Sequence, residues 1–143
     1  MAMGLFALVS ASLFTGAACY ITLVEQPARL SLDDRSLLAQ WKPSYKGGFN
    51  IQGSLAVITA VAGGIAYMQT SNWLWLGGAF AIFANWPYTL MFLIPTNNRL
   101  LAMPLESAGS ETRGMIEAWG RGHVVRGCLG GFAIVCFFLA ALS

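Results

Sequence analysis

The chain has 143 residues, of which 57% are hydrophobic and 10% are charged. Soluble domains average about 45–50% apolar and about 25% charged residues, so this composition indicates an integral membrane protein whose first partner is the lipid bilayer. Eight basic and six acidic side chains leave a formal charge of only +2, too small to predict a nucleic-acid partner.

The cysteine and histidine content argues against most metal and disulfide sites. The three cysteines, Cys19, Cys128 and Cys136, form no CxxC pair and lie in apolar segments, which favours buried thiols over a disulfide framework or a zinc site. The chain has a single histidine, so haem or di-iron ligation by two imidazoles is excluded. These counts therefore argue against a metal site.

Hydropathy predicts one integral membrane domain of the all-α class, a four-helix transmembrane bundle. The first apolar segment lacks the basic region of a cleaved signal peptide and is expected to be retained. No charged residue occurs from Gly47 to Asn98. As one helix this run would reach about 78 Å, more than twice the roughly 30 Å hydrocarbon layer, so it must cross and return. The spans are predicted at residues 3–24, 49–68, 73–94 and 122–142.

The polar residues around the spans predict their orientation and their ends. Residues 25–48 and 95–121 lie on the same side of the bilayer and carry seven Lys and Arg, whereas the opposite side carries none. This asymmetry predicts cytoplasmic long loops and external termini. Between the middle spans, Ser71 or Asn72 is expected to cap the third helix, and Asn50 and Gln52 to cap the second.

The first loop is expected to contain a short interfacial helix. Ser31 and Asp34 resemble a capping box, and apolar residues then recur at helical spacing until Pro43 and Gly47. Trp41 and Tyr45 would then lie at headgroup depth. The alternative is an irregular loop with two aromatic anchors.

Small residues predict close helix packing. They occur as Gly63-Gly64, as Gly77-Gly78, and as Gly127 and Gly131 in GxxxG spacing. The spacing leaves open whether these contacts form within one bundle, in a homo-oligomer, or against a larger membrane complex.

Polar side chains at three helix ends on one side form the candidate site. Glu25 and Arg29 leave the first span and Asn97 ends the third. In the fourth, Trp119, His123 and Arg126 share one helical face. A purely structural use stays open, in which Glu25 neutralises Arg126 or binds His123 and Asn97 caps its helix. Asn85, deep in the third span, is expected either to form an interhelical hydrogen bond or to line a substrate cavity.

Three motifs together resemble the anthrone oxygenase family of small membrane proteins, which includes fungal enzymes of aromatic polyketide pathways. They are Glu-Gln-Pro-Ala-Arg at 25–29, Pro-Thr-Asn-Asn-Arg-Leu at 95–100, and Trp-Gly-Arg-Gly-His-Val-Val-Arg at 119–126. The resemblance covers nearly the whole chain. It implies an oxygenase without metal or organic cofactor, which converts an apolar small molecule, an anthrone, to an anthraquinone with molecular oxygen.

Carried over by motif position, the resemblance points to Pro95, Asn97, Leu100, Trp119, His123 and Arg126. His123 would act as the base, since it alone titrates near neutral pH in water. Arg126 and Asn97 would stabilise an enolate, Trp119 would stack on the substrate, and Glu25 would orient the imidazole. Arg29 and Asn85 complete the predicted substrate-binding set.

Two other functions stay open from the sequence. The first is a non-enzymatic accessory or assembly subunit of a larger membrane complex, for which an apolar exterior and glycine patches suffice. The second is a ligand or metal site built on Glu25 and His123, which is disfavoured because two ligands hold a metal poorly.

Overall fold

The structure, a computed structural model, describes residues 2–143 and consists of four long helices. They are α1 (Ala2–Leu30), α2 (Asp34–Thr70), α3 (Trp73–Ala102) and α4 (Ser110–Leu142). Each is long and apolar enough to cross a membrane. The all-α, four-helix, multi-pass architecture predicted from the sequence is therefore confirmed.

The helices form a four-sided bundle. α1 and α3 each pack against both α2 and α4, and the diagonal pair α2 and α4 touches little. The two ends of the bundle differ. At the hairpin end, Ser71 adopts a left-handed conformation and Asn72 caps α3 by accepting a hydrogen bond from the Leu74 amide at 3.0 Å, as predicted. At the opposite, loop end, all four helices extend beyond the predicted span boundaries.

The separate interfacial helix predicted in the first loop is wrong. α2 begins at Asp34 and continues through Pro43 and Gly47 into the membrane span. Its cap is Asp33 rather than Ser31, and the hydrogen bond from Ser36 lowers the pKa of the Asp33 carboxyl.

Packing explains why the helix is not interrupted at Pro43. A proline inside a helix costs about 3 kcal/mol, whereas burying each large apolar side chain contributes about 1.5–3 kcal/mol. Leu37, Leu38 and Trp41 are all fully buried. Trp41 stacks on Tyr45 with 4.8 Å between ring centroids. Trp41 is thus a core residue and not an anchor at headgroup depth.

Two helices widen into π-helical turns in the loop half of the bundle. These turns span Ile21–Glu25 in α1 and Thr89–Leu93 in α3. Each ends two residues before a proline, Pro27 or Pro95. Because proline donates no backbone hydrogen bond, the regular ladder is interrupted there and a wider turn takes its place. α3 is also interrupted at Ala84, between Trp73–Phe83 and Asn85–Tyr88.

Glycines bring the helices together in the hairpin half. Gly63 of α2 and Gly78 of α3 pack directly against the fully buried Phe137 of α4, where a Cβ would have no room. Gly130 packs against Phe14 and Thr15 of α1. These contacts form within one bundle. Among residues 2–143, Gly64 and Gly131 have no such neighbour within 4 Å.

Candidate active site

Glu25 and Arg29 form an ion pair within the last turns of α1. Their carboxylate and guanidinium are 2.7 Å apart, and the Arg29 side chain is only 1% exposed. The same Glu25 oxygen accepts hydrogen bonds from Gln40, at 3.1 Å, and from Ser44 of α2. Glu25 therefore binds Arg29 and α2, and no hydrogen bond joins it to His123 or Arg126 in the described residues.

Trp119 is enclosed on several sides. The Arg29 guanidinium lies 5.7 Å from its ring centroid, Trp41 meets it edge-on at 5.7 Å, and the His123 ring lies 5.0 Å away at a 30° tilt. The indole is 6% exposed. Protein neighbours therefore cover the faces of the indole ring. Trp119 positions the His123 imidazole rather than offering a free surface on which a ligand could stack.

His123 lies inside the bundle between two neutral side chains. Its Nδ1 is 3.4 Å from the Thr22 hydroxyl of α1, and its Nε2 is 3.4 Å from Oε1 of Gln52 on α2. The residue is 2% exposed. Both contacts are at the long limit for a hydrogen bond, so they hold the imidazole only weakly.

Arg126, one helical turn beyond His123, is a buried cation without an acidic partner. The residue is 6% exposed, and its guanidinium lies 5.5 Å from the Phe14 ring centroid. The four ion pairs within residues 2–143 use other arginines. The Arg126 Nε has no hydrogen-bond partner there either. An unpaired charge at membrane depth costs several kcal/mol and marks a functional site by default.

A small cavity opens beside Arg126. Its volume is only about 10 Å³. That is room for roughly one water or one dioxygen molecule. The lining residues are Phe49, Gly53, Ala56, Asn85, Trp86, Thr89 and Arg126.

Two buried acceptors on α3 face this cavity. Asn85 donates to the Ile82 carbonyl of its own helix at 3.0 Å, while its Oδ1 has no partner among residues 2–143. The Thr89 hydroxyl is likewise unpartnered within that range. The interhelical hydrogen bond predicted for Asn85 is not formed within residues 2–143. Asn85 lines this cavity, and its use in binding a substrate stays a prediction.

Asn97 lies one turn after the π-helical segment of α3. It is 1% exposed, and neither end of its amide has a hydrogen-bond partner in the described part of the chain. The half-buried Tyr45 phenol of α2 lies near this amide and near Arg126. Asn97 therefore belongs to the same polar region as Arg126, as predicted from the helix ends. Leu100, one turn further on, is fully buried in the loop-end core.

Four residues of this region were not predicted as site residues: Thr22, Tyr45, Gln52 and Thr89. Gln52 was expected to cap the second span, but α2 begins at Asp34, so Gln52 lies mid-helix and faces His123. A glutamine inside an apolar helix was the signal that could have identified it. Thr22 and Thr89 carry no such signal, since threonine is common in membrane helices.

Some polar residues lie outside the site. The Arg99 side chain is 66% exposed and pairs with Glu111 at 3.1 Å. No group of three or more His, Cys, Asp or Glu side chains suitable for a metal occurs in residues 2–143. What the region offers is a guanidinium and neutral hydrogen-bonding groups at a small cavity, with the His123 imidazole one helical turn away on α4. Such a set can accept a proton and stabilise a negatively charged oxygen.

Comparison with known proteins gives one consistent result. A family model described as anthrone oxygenase matches residues 41–136. That range includes Asn85, Asn97, Trp119, His123 and Arg126. A curated relative named anthrone oxygenase, from Claviceps purpurea (strain 20.1), is 28% identical over 137 residues, covering 86% of this chain and 79% of the relative. No solved structure matches.

Proposed function

The chain belongs to the anthrone oxygenase family, and we propose that it oxidises an apolar, anthrone-like aromatic substrate with molecular oxygen. The reaction proceeds by proton abstraction and needs neither a metal nor an organic cofactor. In the parent case, anthrone and one O₂ give anthraquinone and one water. One oxygen atom becomes the new ketone, and the other leaves as water with the two hydrogens of the substrate methylene.

The chemistry needs two groups from the protein. A base must remove a proton from the carbon opposite the aromatic ketone, and a cation or hydrogen-bond donor must stabilise the enolate oxygen that results. The enolate is electron-rich and reacts with oxygen directly. Stabilising it in a site that excludes water is more effective than in solution, because electrostatic interactions are less screened there.

One observation carries the proposal: His123 and the unpaired Arg126 lie one turn apart on the same buried face of α4. The imidazole accepts the proton and Arg126 faces the developing negative charge. An acidic partner would neutralise Arg126, and none of the ion pairs in residues 2–143 includes it. The substrate enolate supplies the missing negative charge.

The surrounding residues support these two groups. Asn97 is a second donor for the enolate oxygen, and Asn85 and Thr89 orient the substrate's polar edge. Glu25 and Arg29 act indirectly, because their ion pair holds Trp119, which packs on the His123 ring. Both are therefore positioning residues.

The test is anthrone oxidation by the purified protein in nanodiscs, followed by anthraquinone absorbance and oxygen uptake above the spontaneous rate. His123→Gln, which removes the base, is expected to lower kcat/KM by about 10²–10⁴-fold. Arg126→Gln, which removes the stabilising charge, is expected to lower it by about 10²–10³-fold. A chelator should leave the wild-type rate unchanged.

Arg99→Gln is the matched control, since it removes an exposed arginine at the same end of the bundle. It should retain wild-type activity. Wild-type protein that forms no anthraquinone above the spontaneous rate would contradict the proposed activity. An unchanged rate in His123→Gln would remove His123 as the base.

We further propose that the loop end faces the cytoplasm, because the basic side chains of the connecting segments lie there. Ser107 is exposed in the connection between α3 and α4. A Ser107→Cys variant, with the native cysteines replaced by alanine, should react with an impermeant maleimide only after the membrane is opened. Labelling of intact cells would reverse the orientation.

A further inference from the structure

The cavity beside Arg126 shares a wall with a groove on the outside of the bundle. The groove runs between α2 and α3 and has a volume of about 390 Å³. Its lining residues are Gly53, Ser54, Val57, Ile58 and Trp86. Val57 and Ile58 are exposed on the face that a bilayer covers. Gly53 and Trp86 line both spaces, so they stand between the bilayer and Arg126.

The Trp86 indole rests on the backbone of α2. Its Nε1 donates a hydrogen bond to the Gly53 carbonyl at 3.3 Å, and Phe49 meets it edge-on with 6.0 Å between ring centroids. A Cβ at Gly53 would lie 3.4 Å from the indole Cζ2, at van der Waals contact, so the indole covers this residue closely. One long hydrogen bond and van der Waals contact therefore hold the indole in place.

The backbone that carries Trp86 is the least regular part of α3. The helix is interrupted at Ala84, continues for a single turn over Asn85–Tyr88, and then widens into the π-helical turn Thr89–Leu93. Pro87 lies in this stretch. Such interruptions are where membrane helices bend, and gating motions are absorbed at a few residues of this kind.

Core side chains lie on the bundle axis toward both ends, and the pocket at the hairpin end is lined by one of them, Trp75. At the loop end, Leu37, Leu38 and Trp41 are fully buried. At the hairpin end, Trp75 stacks on Phe137, with 5.7 Å between their ring centroids. A route along the bundle axis would have to displace these core side chains, whereas the lateral route between α2 and α3 passes Gly53 and the Trp86 indole.

We propose that the apolar aromatic substrate enters from the bilayer between α2 and α3, and that Trp86 is the gate that limits its access and size. The cavity in its present form admits only a molecule the size of water or dioxygen. Three fused rings therefore reach Arg126 only when the indole moves off Gly53. The identity of the substrate rests on the function proposed above, whereas the route rests on the shared wall of the two spaces.

The test measures how fast anthraquinone binds to the protein in phosphatidylcholine nanodiscs, by stopped-flow quenching of tryptophan fluorescence. The saturable phase is expected to slow roughly tenfold in Gly53→Leu, whose side chain fills the passage between α2 and the indole, and to accelerate severalfold in Trp86→Ala. Gly64→Leu is the matched control: it lies on the same helix, and no non-adjacent side chain in residues 2–143 lies within 4 Å of a Cβ built there. Its rate should equal that of the wild type.

Binding does not require turnover, so the two proposals fail separately. If the variants bind anthraquinone at the expected rates but anthrone is not oxidised, the proposed activity is wrong and the proposed lateral entrance is supported. If anthrone is oxidised while Gly53→Leu and Trp86→Ala both bind anthraquinone at the wild-type rate, the entrance is wrong. Absence of a saturable phase in the wild type would also overturn the entrance.

Discussion

The two halves of the bundle treat buried polar groups in opposite ways. In the hairpin half, such groups have hydrogen-bond partners: Ser10 donates to the Phe6 carbonyl of its own helix at 2.8 Å, and Thr59 of α2 donates to Ser10 of α1 at 2.8 Å. The remaining core consists of alanines, glycines and large aromatic rings. This half therefore consists of a packed core in which the few buried polar groups are hydrogen-bonded.

In the loop half, buried polar atoms lack partners. All twelve buried side-chain nitrogen and oxygen atoms without a hydrogen bond in residues 2–143 lie at the middle of the bundle or toward its loop end. They belong to Gln26, Arg29, Gln40, Trp41, Gln52, Asn85, Thr89, Asn97, Trp119 and Arg126. Each such group costs about 1–3 kcal/mol when left unsatisfied. The difference indicates that the hairpin half stabilises the fold, whereas the unsatisfied polar groups of the loop half lower its stability in return for a site.

The largest effect is expected from Phe137→Ala in the hairpin half. Phe137 fills the space between Gly63 and Gly78 and is fully buried. Its loss should lower the free energy of unfolding by about 3–5 kcal/mol, because a cavity remains that the surrounding helices cannot close. Unfolding by sodium dodecyl sulfate in mixed micelles measures this. Activity per folded molecule should persist, since Arg126 lies roughly 16 Å away along α4.

Phe138→Ala is the matched control for this substitution. Phe138 is the next residue of α4 and is 51% exposed on the bilayer face. Its truncation removes the same atoms without opening a cavity, so the free energy of unfolding should change far less. Equal losses in the two variants would mean that the hairpin half is not the stabilising core.

The fold could be predicted because its signals are local. The uncharged run from Gly47 to Asn98 requires two crossings, and Asn72 forms the predicted cap. The sharing of one face by Trp119, His123 and Arg126 follows from helical periodicity alone. These features depend only on residues near one another in the chain.

The partners across the bundle could not be predicted in this way. The position of Gln52 opposite His123 depends on α2 continuing through Pro43, which tertiary packing of Trp41 decides. Counting helix ends predicts that Glu25 lies near His123. In the structure, Glu25 ends a π-helical turn and instead binds Arg29. Sequence spacing indicates how far along its helix a side chain lies. Which side chain it meets on a neighbouring helix depends on how each helix is rotated about its own axis.

A smaller effect is expected from Asn85→Leu, near the middle of the bundle. This substitution should affect stability and activity in opposite directions. The substitution removes the unpartnered Oδ1, so the free energy of unfolding should stay level or rise, by at most about 1–3 kcal/mol. Losing a substrate hydrogen bond should lower kcat/KM for anthrone by roughly threefold to tenfold. Asn98→Leu, at an exposed position of the same helix, should change neither quantity. A clear loss of stability in Asn85→Leu would show that Asn85 serves packing, and the division between the halves would fail at the cavity itself.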